Sequence, residues 1–226
     1  MRRILFPLIL GLGGIAVLIG LGVWQLQRME WKAGVLAGIN ARLSAEPIAL
    51  ADLEAPDPEA MDYQAVDLSG RSTGEEILVL SGKKGVGAGY RVISAFETAE
   101  GRRVMLDRGF VPEDARRAER PPVALDVKGN LLWPDDADSF TPPPDMGQRM
   151  WFARDVATMS ETLDTEPVLV VLREAEGDLQ GVEPVPVDTS GIPNDHFGYA
   201  MTWFSLALVW AGMTAFLLWR IRARTI

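Results

Sequence analysis

The stretch ILFPLILGLGGIAVLIGLGV, Ile4–Val23, decides the fold, because it holds 20 residues without a single charge. At a helical rise of about 1.5 Å per residue it spans roughly 30 Å, the thickness of a bilayer's hydrocarbon core. A second uncharged run, Phe197–Trp219, has 23 residues and is long enough to span with some tilt. Arg2 and Arg3 precede the first run, and Arg220, Arg222 and Arg224 follow the second, with no acidic residue in either tail. The whole chain of 226 residues carries 22 basic and 31 acidic residues, a net charge of −9. Removing the five tail arginines leaves 17 basic against 31 acidic residues between the runs, a net −14. Unopposed positive charge at both ends predicts cytoplasmic termini, tails at 1–3 and 220–226, and a middle segment across the membrane.

A cleaved signal peptide is the rival reading of the N-terminus. Its basic start and apolar run fit, but no small-residue cleavage site precedes Trp24-Gln25-Leu26-Gln27. The opening Met1-Arg2-Arg3-Ile4 shows no Arg/Ser-rich amphipathic leader, which favours a bacterial inner membrane over an organelle. The middle segment, 24–196, is then periplasmic.

Between the spans the apolar period changes. Leu26, Met29, Ala33 and Leu36 keep helical spacing, so the first helix is expected to continue to about Ser44, with breaks at Pro47 and Ala55-Pro56-Asp57-Pro58. Short strands are expected at Tyr63–Leu68, Ile77–Leu80, Tyr90–Phe96, Arg103–Leu106, Val123–Leu132 and Val168–Leu172. One helix is expected over Phe152–Leu163 with Asp155 and Glu161 on its polar face, and Thr141-Pro142-Pro143-Pro144 reads as an extended loop. The fold class is α+β: two transmembrane helices bracketing a mostly antiparallel sheet or small barrel outside the membrane.

The chemistry is narrowed by what is missing. With no cysteine and one histidine, no zinc ribbon, thiolate copper site or multi-histidine centre can be built from one chain. Neither a copper nor a zinc site is expected, and the nine methionines form no M-x-x-M run. The acidic balance opposes nucleic-acid binding. Gly85-Val86-Gly87-Ala88-Gly89 resembles a phosphate loop but opens no helix, so a hairpin turn fits better. Asp135, Asp136 and Asp138 read as a solvated loop, and no catalytic constellation stands out.

The membrane boundaries are richer. His196, Tyr199, Trp203, Leu206 and Trp210 recur at three- and four-residue spacing, while Trp24 and Arg28 stand one turn apart on the first helix. The predicted topology puts both groups at the outer face. An anchoring belt of interfacial aromatics and a snorkelling arginine accounts for them by composition alone. The functional alternative is a site for a planar amphiphile: an imidazole on its metal, aromatic rings on its faces, and Arg28 on its carboxylates.

These residues resemble the Surfeit locus protein 1 family of cytochrome c oxidase assembly factors. The likeness rests on Gly22, Trp24, Gln25, Arg28 and Lys32, on Gly89-Tyr90-Arg91-Val92-Ile93, and on Arg108-Gly109-Phe110-Val111-Pro112. Its most specific segment is Asn194-x-His196-x-x-Tyr199-Ala200-x-Thr202-Trp203-Phe204. Asp107 stands where the family often has Asn, and Pro144 is a second departure. The resemblance implies a non-enzymatic factor that binds haem a and helps insert it into subunit I of an aa3-type haem-copper oxidase. It implies a site made of His196, Tyr199, Trp203, Trp24, Gln25 and Arg28, with His196 the candidate axial ligand of the haem iron. It also implies oxidase subunit I, haem a synthase and other assembly factors as partners, alongside membrane lipid. A membrane scaffold that stabilises oxidase intermediates without holding haem is the alternative. A periplasm-facing enzyme would need an acid or nucleophile partner for His196.

Overall fold

The structure is a computed structural model that describes residues 2–223, with side chains from residue 4 onward. Arg224 and the side chains of Arg2 and Arg3, three of the five tail charges, lie outside the described residues. Two long helices, α1 (Arg2–Leu43) and α4 (His196–Ala223), bracket the sheet in sequence, and both are long and apolar enough to cross a membrane. The class is α+β, as expected. The chain forms two compact units, one of Met1–Gly38 with Thr189–Ile226 and one of Ile39–Asp188.

The second unit holds β1 (Ile48–Ala49), α2 (Pro58–Met61), β2 (Ala65–Lys83), β3 (Gly87–Thr98), β4 (Arg103–Pro112), β5 (Ala124–Leu131), β6 (Met150–Trp151), α3 (Val156–Leu163) and β7 (Leu169–Glu176). Strand order runs β2-β3-β4-β7-β5, and β5 pairs back onto β2, so the sheet closes into a five-stranded barrel. β5 returns beside β2 after the consecutive β2-β3-β4 meander, which is a Greek-key connection. The long ladders are antiparallel, whereas β4 pairs with β7, and β1 and β6 with β2, in parallel. Closure leaves few free edges and encloses one apolar interior around Phe96, Leu106, Leu131 and Leu172, none of which is exposed.

Three expectations need correction. Tyr63–Leu68 and Ile77–Leu80 are not separate strands; they are the two halves of β2, joined across a bulge between Ser72 and Glu76. β2 pairs with β5 over Ala65–Arg71 and with β3 from Gly70 onward, the bulge falling within the β3 ladder. The late helix begins at Val156, not Phe152, because the Asp155 carboxylate accepts from Ala157 N at 3.1 Å and caps it. Asp155 is therefore a cap, while Glu161 does face solvent. Finally, Pro58 starts a short helix behind the Asp57 cap, since proline at the first helical position loses no needed hydrogen bond.

Two of the segments that carried the family resemblance pair with one another. In the β3–β4 ladder Gly89 faces Pro112, Tyr90 faces Val111 and Arg91 faces Phe110. A Cβ on Gly89 would lie 2.3 Å from the Val111 carbonyl oxygen, and one on Gly109 only 2.0 Å from that of Glu183, so both strands pack where a side chain cannot go. Arg91 Nε donates to Asp107 Oδ2 at 2.6 Å, with the carboxylate wholly buried. Arg108 is buried as well and donates to Leu179 O and Gln180 Oε1, both at 3.0 Å. Nearby, burial pushes the Glu76 carboxyl above its ordinary pKa against the pull of Arg120 and Arg108. These segments build the barrel.

Candidate functional site at the head of the helix pair

The remaining segments meet in the first unit, where α1 and α4 pack antiparallel. Contacts run Gly11 to Thr214, Gly14 to Trp210 and Gly22 to Phe204. A Cβ on any of the three glycines would come within 2.4 Å of the facing side chain, so small residues set the approach of the helices. On α4 the buried Ala200 and Ala207 serve the same purpose. Trp210 Nε1 donates to the Gly11 carbonyl at 3.2 Å, which spares a polar group from hydrocarbon.

His196 is the first residue of α4 and is half-buried. Its Nδ1 lies 2.7 Å from Gln25 Oε1 on α1. With the amide oxygen facing the ring, Nδ1 is the donor, and the lone pair of the neutral imidazole is left on Nε2. Metal-binding histidines commonly have this arrangement: one nitrogen fixed by a carbonyl-type acceptor, the other open to the metal. Gln25 is one turn beyond Gly22, so the same face of α1 that admits Phe204 presents the amide to His196.

Two turns further along, Lys32 Nζ donates to the Pro193 carbonyl at 2.6 Å and ties the segment before α4 to α1. Asn194 Oδ1 is buried with no hydrogen-bond partner among the described residues. Arg28 places its guanidinium 3.9 Å from the ring centroid of Trp31. Trp24 and Tyr199 are exposed, and Trp203 is half-buried.

The structure thus brings His196 and Gln25 together directly and places Trp24, Arg28 and Trp31 along one α1 face at four- and three-residue spacing. The stripe read on α4 divides: His196 and Trp210 touch α1, whereas Tyr199 stands clear. Trp31, Lys32 and Asn194 were absent from the candidate set. Trp31 was findable from its position three residues after Arg28, and Lys32 from the motif that holds Gln25. Among the described residues no group of three or more His, Asp or Glu is placed to hold a metal ion. A metal held here by a protein ligand would have a single imidazole.

Comparison with known proteins points the same way along nearly the whole chain. The SURF1 family profile matches residues 12–208. The chain is 30% identical over 219 residues to a SURF1-like protein of Monosiga brevicollis, covering 89% of this chain and 83% of that one. It is 26% identical over 211 residues to a SURF1-like protein of Rickettsia felis, covering 85% and 88% respectively. Surfeit locus protein 1 of Gallus gallus is 26% identical over 226 residues, covering 88% of this chain and 70% of its own.

Proposed function

The chain belongs to the SURF1 family, and from that premise we propose that it assists assembly of an aa3-type haem-copper cytochrome c oxidase by holding haem a and passing it to subunit I. The observation that carries this reading is the His196–Gln25 pair, which holds the chain's one imidazole through Nδ1 and leaves the ring's lone pair on Nε2. In this reading haem is cargo, and His196 holds its iron. The exposed rings of Trp24 and Tyr199, with Trp203 behind, offer apolar surface to the macrocycle, and Arg28 pairs with a propionate. One imidazole cannot supply two axial ligands, so the sixth position is open, taken by water or methionine, or filled by a partner chain. Release is then a matter of exchanging one protein ligand.

The topology that serves this function has both termini cytoplasmic and the barrel in the periplasm of a bacterial inner membrane. Its partners are oxidase subunit I, haem a synthase and other assembly factors. The scaffold alternative assigns His196 and Gln25 to packing at the head of α4. A visible spectrum of the protein purified from cells that make haem a separates the two. Co-purified haem a is expected, with its spectrum lost or shifted in His196→Ala while protein abundance stays unchanged. Full haem content and an unshifted spectrum in that variant would overturn the ligand assignment.

A further inference from the structure

At the end of the helix pair away from His196 lies an apolar groove of about 400 Å³, within the size range of ligand pockets. Phe6 and Leu10 of α1 face Trp210, Met213 and Leu217 of α4 across it. The polar atoms at its floor are already satisfied within the unit. Trp210 Nε1 donates to Gly11 O at 3.2 Å, and Thr214 Oγ1 donates to Trp210 O at 2.8 Å. The groove therefore offers hydrocarbon and nothing else, and in a bilayer its occupant is an acyl chain.

The charge beside it selects which lipid. Arg220 stands three residues after Leu217 and four after Phe216, so it continues the groove's face about 4.5 Å further along the axis. Arg222, two residues on, projects from the opposite face of α4, so of the two exposed arginines only Arg220 borders the groove. No Asp or Glu occurs between His196 and Ile226, or before Glu30, to pair with them. Flexible arginine stems reach the headgroup level while the groove stays in the hydrocarbon. We propose that this groove and Arg220 form a site for one anionic phospholipid, its acyl chain between α1 and α4 and its phosphate on Arg220. In the topology proposed above this is the cytoplasmic leaflet, but the site itself stands on geometry and charge alone.

The test uses the full chain in mixed micelles of phosphatidylglycerol and phosphatidylcholine, with retained lipid counted by native mass spectrometry. One arginine at about 1 kcal/mol predicts roughly fivefold preference for the anionic lipid. R220Q is expected to reduce that preference to within about twofold, and R222Q, on the opposite face, to leave it unchanged. Met213→Trp fills the groove and is expected to lower retention of the anionic lipid while leaving both arginines in place. Equal retention of both lipids by the unaltered chain overturns the site. So does a preference that survives R220Q, one that is lost in R222Q instead, or retention indifferent to Met213→Trp. Haem content plays no part in the readout, so failure of the haem reading leaves this result interpretable.

Discussion

The barrel and the helix pair solve the problem of cohesion in opposite ways. In the barrel, Phe96, Leu106 and Met105 are wholly removed from solvent, and water drives the collapse. In the helix pair, large apolar side chains point outward: Leu208 is 76% exposed, Phe6 73% and Trp219 66%. Their cover is lipid, and the helices hold together by close approach at Gly11, Gly14 and Gly22. The candidate site lies in the helix pair, which holds the chain's one imidazole through Nδ1 by Gln25. Buried side-chain atoms without a hydrogen bond occur in both units among the described residues, Arg108 Nε, Arg173 Nε and Thr165 Oγ1 in the barrel unit and Asn194 Oδ1 in the other.

The largest effect is expected in the barrel, where the ion pair of Arg91 and Asp107 lies inside the β3–β4 seam. Arg91→Leu strands a buried carboxylate and should cost about 3–5 kcal/mol in denaturant unfolding of the full chain. Asp107→Asn should cost less, because its amide oxygen still accepts from Arg91 Nε, 2.6 Å from Oδ2 in the carboxylate, and only the Gly109 N–H, 3.2 Å from Oδ1, loses its acceptor. If the two variants unfold alike, the seam is held by strand pairing and the charge contributes little.

What was legible in the sequence follows the same divide. Uncharged length identified the two spans, because a bilayer constrains composition more tightly than a barrel does. Strand positions were legible for β3, β4, β5 and β7, where apolar runs end at glycine or charge. β2 was not legible as one strand: its two apolar runs are separated by a bulge that holds Gly74 at φ +82°, and Gly70 sits against Glu97 O. Barrel closure was one of two alternatives, since which strands pair depends on register that no local pattern records. At the site, helical spacing located His196 and Arg28 but could not say what each touches. Gln25 entered only through the family motif. Its contact with His196 spans 171 residues of sequence, beyond the reach of any periodicity.

A smaller effect is expected where the helices touch. Gly22→Leu drives a side chain into the Phe204 ring, which an added Cβ would already approach to 2.4 Å. Overpacking of this kind costs about 1–3 kcal/mol. The chain has no cysteine, so paired cysteines introduced at 14 and 210 report the approach by disulfide yield in membranes. Yield should fall in the Gly22→Leu background. Unchanged yield would mean that lipid pressure, not close packing, holds the pair.

The smallest effect concerns Arg28, and it distinguishes a poised ligand group from an interfacial anchor. The guanidinium rests 3.9 Å from the Trp31 centroid, a cation–π contact worth about 0.5–1 kcal/mol at an exposed site. Stacking occupies the flat face of the guanidinium but leaves its N–H edge free, and that edge is what a carboxylate engages. Trp31 would then preorganise Arg28 without competing for its donors. Trp31→Leu should weaken haem retention by about two- to fivefold, the equivalent of that contact, while Arg28→Leu should weaken it further and Trp31→Phe should restore most of the loss. Abundance should be unchanged throughout. If Arg28→Leu leaves haem content untouched, the pair is an anchor in the interfacial belt, and the carboxylate contact belongs elsewhere.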